Sequence, residues 1–108
     1  MARKKPVQSE GVTRFVKREF FGPRGHAPLT QESWTKNARG EIVKYALAYI
    51  DFNLCRQDNG RALGYDNAHA IHERHFMGTT DTVPYRSYEA TLRQFYAEVR
   101  RLREVYDE

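Results

Sequence analysis

Residues 41–52, Glu-Ile-Val-Lys-Tyr-Ala-Leu-Ala-Tyr-Ile-Asp-Phe, read as one long β-strand. The run is rich in β-branched and aromatic side chains, which suit a pleated surface. Ile42, Ala46, Ala48 and Ile50 point one way, and Val43, Tyr45, Leu47 and Tyr49 the other. Both faces are largely apolar, so this strand belongs in the interior of a sheet. Asp58-Asn59-Gly60 is a strong turn signal, and Arg61–Tyr65 reads as a second strand directly after it. Together the two predict an antiparallel hairpin.

The flanking elements follow from weaker signals. Asp66–Ala70 reads as a loop, His72–Met77 as a third short strand, and Thr79–Pro84 as a connection, with Pro84 biasing Val83 away from helix. Ser87 is a candidate N-cap. Tyr88, Leu92, Phe95, Val99, Leu102 and Tyr106 then recur at steps of four and three, the stripe of an amphipathic helix. Residues 12–21 fit a helix or a strand. Gly22, Pro23, Gly25 and Pro28 break whatever they form. Residues 1–11 show no periodicity and read as a flexible basic arm, leaving residues 12–108 as one domain. The expected fold class is α+β: a small antiparallel sheet of three to four strands with the C-terminal helix packed on one face.

Composition narrows the function classes. The chain has 108 residues, enough for one modest core. Seven Tyr, six Phe and one Trp argue against disorder. No run approaches the roughly 20 apolar residues of a membrane span. No apolar stretch follows Met-Ala-Arg-Lys-Lys-Pro, so no secretory leader is expected. A single cysteine, Cys55, forms no internal disulfide, and with the rest predicts a cytoplasmic protein. Cys55 and Trp34 read as ordinary packing residues. The net charge of +4 is uneven: residues 1–26 carry seven basic and two acidic side chains. A basic arm attracts polyanions, nucleic acid foremost. It also serves simply as a solvated tail. The helix arginines read as a solvated face paired with Glu98 and Glu104.

The chemistry is concentrated in residues 61–78, which hold three of the four histidines, with Arg61, Tyr65, Asp66, Asn67 and Arg74. Three readings stand. The first is acid–base chemistry on phosphate: His69, His72 or His75 as base and acid, with Arg74 or Arg61 against the developing charge. On an extended strand His72 and Arg74 share one face, and Glu73 and His75 the other. One site therefore needs His69 to project from the loop and join one of those faces. The second is metal binding, since Asp66, His69, His72 and His75 recur at every third position. There is no Cys pair to close a structural site, and the spacing differs from that of helical ligand pairs. The third is structural: Asp and Asn in such a turn cap their own backbone.

The pattern Asp58-Asn59-Gly60-Arg61-x-Leu63-Gly64-Tyr65-Asp66-Asn67-Ala68-His69, then His72-x-Arg74-His75-x-x-Gly78, resembles the TumE-type toxin family of bacterial toxin–antitoxin modules. Glu32-x-Trp34, Val43-Lys44-Tyr45-x-Leu47 and Tyr85-x-Ser87-Tyr88-Glu89 fit the same family, as do Phe95 and Glu98-Val99, and the resemblance spans about residues 31–104. Family members often carry Gly where this chain has Ala70, and His where it has Glu73. Alanine at position 70 predicts no positive φ there.

The resemblance implies a toxin neutralised by a cognate antitoxin protein. The residues add RNA as target and metal-independent cleavage as action, with no cofactor. In that reading His69 and His75 are the acid–base candidates, with His72 in reserve. Arg74 is the transition-state cation, and Tyr65 and Asp66 orient the site. Arg61, Asn67, Arg3, Lys4 and Lys5 are the substrate-binding candidates, and a homodimer is one expected assembly. The alternative is a non-enzymatic module that binds nucleic acid or protein.

Overall fold

The computed structural model describes residues 7–9 and 11–106. The predicted long strand is β4, Ile42–Ile50. Around it lie β1 (Val7–Ser9), β2 (Val12–Phe20), β3 (Leu29–Lys36), β5 (Arg61–Asp66), β6 (Glu73–Phe76) and β7 (Thr79–Thr82). Among the described residues these form one antiparallel sheet in chain order, with a single α-helix, α1 (Tyr88–Tyr106), after it. The α+β class holds, but the sheet is larger than the three to four strands expected. Six strands run from Val12 to Thr82, and three-residue β1 pairs with the edge of β2. Arg3, Lys4 and Lys5 of the basic arm lie outside the described residues.

Local chemistry explains the additions. The ambiguous residues 12–21 become a strand because β3 pairs with them along their length, with Phe15 stacked on Trp34 at 5.0 Å. β3 itself carries no apolar alternation: two of its helix-facing positions are Thr30 and Glu32, both buried. Glu32 is tolerated there because it accepts hydrogen bonds from the hydroxyls of Tyr88 (3.1 Å) and Tyr96 (3.2 Å). Thr79–Pro84 is not wholly a connection. Met77 and Gly78, with φ of 49° and 88°, make the positive-φ turn that starts β7. The Asp58–Gly60 turn closes a longer link of residues 51–60 rather than a tight hairpin. Gly60 is required there: its φ is 83°, and a Cβ would stand 2.6 Å from the Phe52 ring.

The core lies between α1 and one face of the sheet. Tyr45, Leu47, Tyr49, Leu63 and Tyr65 meet Tyr88, Phe95, Val99 and Leu102, all buried. Ser87 caps the helix as predicted, its Oγ accepting the Ala90 N–H at 3.0 Å. The stripe ends early, with Tyr106 54% exposed. Both faces of β4 are apolar, as the sequence indicates, but α1 covers only the Tyr45–Leu47–Tyr49 face; Ala46 and Ala48, on the other, stay half-buried. Cys55 is buried, its Sγ against the Gln57 carbonyl at 3.4 Å.

The turn between β5 and β6 is built by its own side chains. Asn67 stands in for a strand residue: its Oδ1 accepts the Tyr45 N–H at 3.0 Å and its Nδ2 donates to the Val43 carbonyl at 3.1 Å. Asp66 accepts the Ala68 N–H at 3.1 Å. Ala70 corrects the expectation for its position: its φ is +66°, in the left-handed region.

Three outcomes follow from this architecture. Asn67→Ala orphans a donor and an acceptor of β4 and should cost about 2 kcal/mol in urea unfolding; a loss below about 0.5 kcal/mol would show that water replaces the side chain. Ala70→Gly should stabilise by up to about 1 kcal/mol, because relief of the positive φ outweighs the extra freedom of the unfolded chain; a lower melting temperature would sink that reading. The third concerns pH. Burial, then contact with a carboxylate, pushes Tyr65 and Tyr96 up to about 12, and Tyr88 also rises. Such groups hold their protons in the folded chain after the unfolded chain has lost them. Their contribution is therefore complete below about pH 10 and is lost as pH climbs toward 12. Urea midpoints should fall steeply between pH 9.5 and 11.5 (roughly the window between the two values); a flat midpoint there would contradict the burial of these hydroxyls.

Candidate functional site

Strand alternation divides the chemistry of residues 61–78 between two faces. The β5–β6 register pairs Tyr65 with Arg74, Gly64 with His75, and Asp66 with Glu73. Tyr65 and Arg74 face α1, while Asp66, Glu73 and His75 face the opposite side. The candidates do not form one site, and the two groups differ in character.

On the helix side the centre is Glu98. Its Oε1 accepts the Tyr65 hydroxyl at 2.7 Å, and its Oε2 accepts Arg74 Nη2 at 2.9 Å. Arg74 Nε completes a fork at 3.4 Å from Oε1. Burial works against the Arg74 charge, but hydrogen bonding and attraction to Glu98 outweigh it and raise its pKa. Burial, followed by the Glu98 hydrogen bond, keeps Tyr65 a protonated donor. These groups line a cleft of about 670 Å³ between α1 and the β6–β7 end of the sheet, together with Arg86, Arg93 and Gln94. Among the described residues the Arg86 and Arg93 side chains make no hydrogen bond or ion pair. A smaller hollow beside it, sharing Arg74 and Glu98, brings in Arg101.

His72 sits on the same strand side as Arg74, in an aromatic cluster. Its ring stacks on Tyr85 at 3.8 Å and 7°, and its Nδ1 meets the Tyr45 hydroxyl at 2.8 Å. Burial first, then neighbouring phenolic and acidic groups, raise the Tyr45 pKa, so this hydroxyl stays protonated. The direction of the bond follows the state of the ring: a His72 protonated on Nε2 alone accepts from Tyr45, and an imidazolium donates Nδ1–H to the Tyr45 oxygen and keeps Nε2–H for another partner.

On the opposite side the centre is Asp66, buried with His75. Asp66 Oδ2 meets His75 Nε2 at 2.8 Å and accepts Arg61 Nη1 at 3.3 Å. His75 Nδ1 meets Thr80 Oγ1 at 3.0 Å, so both ring nitrogens are engaged. Arg61 is held a second time, by Asp58 at 2.6 Å. Gly64 makes this crossing possible: a Cβ there would stand 2.6 Å from Arg61 Cδ. His69 joins this face, with Nδ1 3.3 Å from Glu73 Oε1 and its side chain 78% exposed. Asp66, Glu73 and His75 each offer an atom within 4.8 Å of the others.

Tyr65, Arg74 and His72 thus lie on one side, and Asp66, His75, His69 and Arg61 on the other, while Asn67 is spent on β4. Sequence reasoning missed Glu98 as a site residue, pairing it with helix arginines. The available signal was its place one residue before buried Val99, at the margin of the apolar stripe, where a carboxylate meets the sheet.

Among the described residues no helix is long and apolar enough to cross a membrane. No curated protein and no solved structure matches the chain. The family model described as Toxin TumE matches residues 29–103, which include every strand from β3 onward, both clusters and nearly all of α1. That span exceeds half the sequence, and the chain belongs to the TumE toxin family.

Proposed function

We propose that this toxin cleaves RNA without a metal, and that the helix-side cleft is where it does so. The observation that carries the reading is the Tyr65–Glu98–Arg74 set, placed in the same cleft as Arg86 and Arg93, whose side chains have no partner among the described residues. Metal-independent RNA cleavage needs a base, a cation for the phosphorane and an acid. The Glu98 carboxylate takes the proton of a ribose 2′-hydroxyl, and the 2′-oxygen attacks the adjacent phosphorus. Arg74 faces the charge gathering on the non-bridging oxygens, with the Tyr65 hydroxyl as a further donor. The P–O5′ bond breaks, and the leaving oxygen takes a proton from Nε2 of a His72 imidazolium, leaving the neutral ring. The products are a 2′,3′-cyclic phosphate and a 5′-hydroxyl. Arg86 and Arg93 hold neighbouring phosphates.

This reading moves the acid–base roles away from His69 and His75. His75 has no nitrogen left for a substrate, and His69 stands on the other side of the sheet from Arg74. Membership of a toxin family implies an antitoxin partner. Covering the cleft is the simplest way for that partner to neutralise the toxin.

The test is induced expression of the wild type, Glu98→Gln, Arg74→Lys and His75→Gln, following growth and RNA integrity together. Wild type should arrest growth and leave cyclic-phosphate ends. Glu98→Gln and Arg74→Lys should each lose about a hundredfold or more in purified cleavage assays. His75→Gln and the chelator-treated wild type should both retain cleavage once compared at equal folded concentration. Fragmentation that persists in Glu98→Gln would remove the cleft from the chemistry. Arrest without fragmentation would favour the second reading, a nucleic-acid-binding module. The cleft arginines Arg86 and Arg93 favour that reading too, and it predicts binding that falls steeply with salt.

A further inference from the structure

The cluster on the opposite face has no part in that chemistry, and its donor set points elsewhere. We infer that Asp66, Glu73, His75 and His69 form a binding site for a divalent transition metal of the zinc type. The donors are two imidazoles and two carboxylates, a set that zinc accepts in four-coordinate sites. Asp66, Glu73 and His75 already converge within 4.8 Å. Small side-chain shifts close that to the spacing a shared ion needs. His69 Nδ1 stands 3.3 Å from Glu73 Oε1 on an exposed side chain, where a fourth ligand can swing in.

The shell behind the ligands is present as well. With no ion His75 Nε2 donates to Asp66 Oδ2 at 2.8 Å; an ion displaces that proton, and Thr80 Oγ1, 3.0 Å from Nδ1, accepts the ring proton of the bound form and frees the Nε2 lone pair. The Ala68 N–H holds Asp66 Oδ1 at 3.1 Å. Arg61 also reaches Asp66, but its shorter contact is to Asp58, at 2.6 Å against 3.3 Å. It keeps that anchor when an ion takes its place on Asp66. Formal charge fits: Asp58, Asp66 and Glu73 bring three carboxylates against the single guanidinium of Arg61, leaving a deficit that one divalent ion fills. Asp66 and Glu73 are also the cross-strand pair next to Tyr65 and Arg74. An ion joining them pins the β5–β6 register from behind while taking no part in the cleft.

The experiment titrates the purified, chelator-stripped full chain with Co²⁺, read by visible absorption, and with Zn²⁺, read by calorimetry and melting temperature. One ion per chain should bind, with the intense bands of four-coordinate cobalt and a rise in melting temperature. Glu73→Gln and His69→Ala, half-buried and exposed positions respectively, should each weaken uptake by about tenfold or more. His26→Ala, at the histidine outside residues 61–78, should leave uptake unchanged. Absence of saturable uptake below about 100 μM overturns the inference. So does weakening of less than about tenfold in either ligand variant. RNA cleavage is not the readout, so failure here leaves the cleft proposal standing, and the reverse.

Discussion

The two-residue period of a β-strand governs everything this protein does with residues 61–78. Successive side chains of β5 and β6 must leave on opposite sides of the sheet. Tyr65 and Asp66 are neighbours in sequence yet belong to different environments, as are Arg74 and His75. The pairing register fixes which residues share a face, so Tyr65–Arg74 and Asp66–Glu73 come as cross-strand couples. A slip of one residue would exchange the two sets and put the Asp66–His75 pair under the helix. Register is therefore the constraint on which the site depends; the Asn67 clamp onto β4 fixes the end of β5, and the Met77–Gly78 turn fixes the end of β6.

The second layer is attached by carboxylates as much as by apolar contact. Phe95, Val99 and Leu102 provide area, but area alone would let α1 slide or rotate on the tyrosine-rich face. Glu32 reaches up from β3 to Tyr88 and Tyr96, and Glu98 reaches down from α1 to Tyr65 and Arg74. Such pairs add little net stability, since burying a charge costs much of what pairing returns. Their effect is geometric, because each has one satisfying arrangement. Glu98 consequently does two things at once: it locates the helix on the sheet, and it presents a carboxylate beside a guanidinium in the cleft. Loss of Glu98 also leaves the partly buried Arg74 cation without its partner. Comparison at equal folded concentration is what separates the two effects.

The sequence revealed the parts whose apolar pattern is self-contained. β4, the antiparallel link to β5, the Ser87 cap and α1 could be read, and so could the division of His72 and Arg74 from Glu73 and His75. What stayed hidden depends on partners distant in the chain. β3 has Thr30 and Glu32 where a strand would be expected to show apolar residues, and Glu32 makes sense only against Tyr88 and Tyr96 on α1. Ala70 misled because alanine tolerates a left-handed φ when its neighbours impose it, here through the Ala70 N–H bond to the Asn67 carbonyl at 3.2 Å. Glu98 was hidden for the same reason as Glu32: a charged residue on a helix looks solvated until the opposing surface is known.

The separation of faces also accounts for the two charge environments. The cleft gathers Arg74, Arg86 and Arg93 around one carboxylate, so it is a place for an anion. The opposite cluster gathers three carboxylates around one guanidinium, so it is a place for a cation. Packed on one face, these sets would neutralise each other and neither would attract a ligand. A sheet only one residue thick keeps them close in sequence and apart in contact. Their backbones remain rigidly joined through the same hydrogen-bonded strands. Whatever tightens the Asp66–Glu73 couple therefore also limits the freedom of Tyr65 and Arg74, one position along each strand. In a domain too small for a separate supporting layer behind its site, the back of the sheet takes that role.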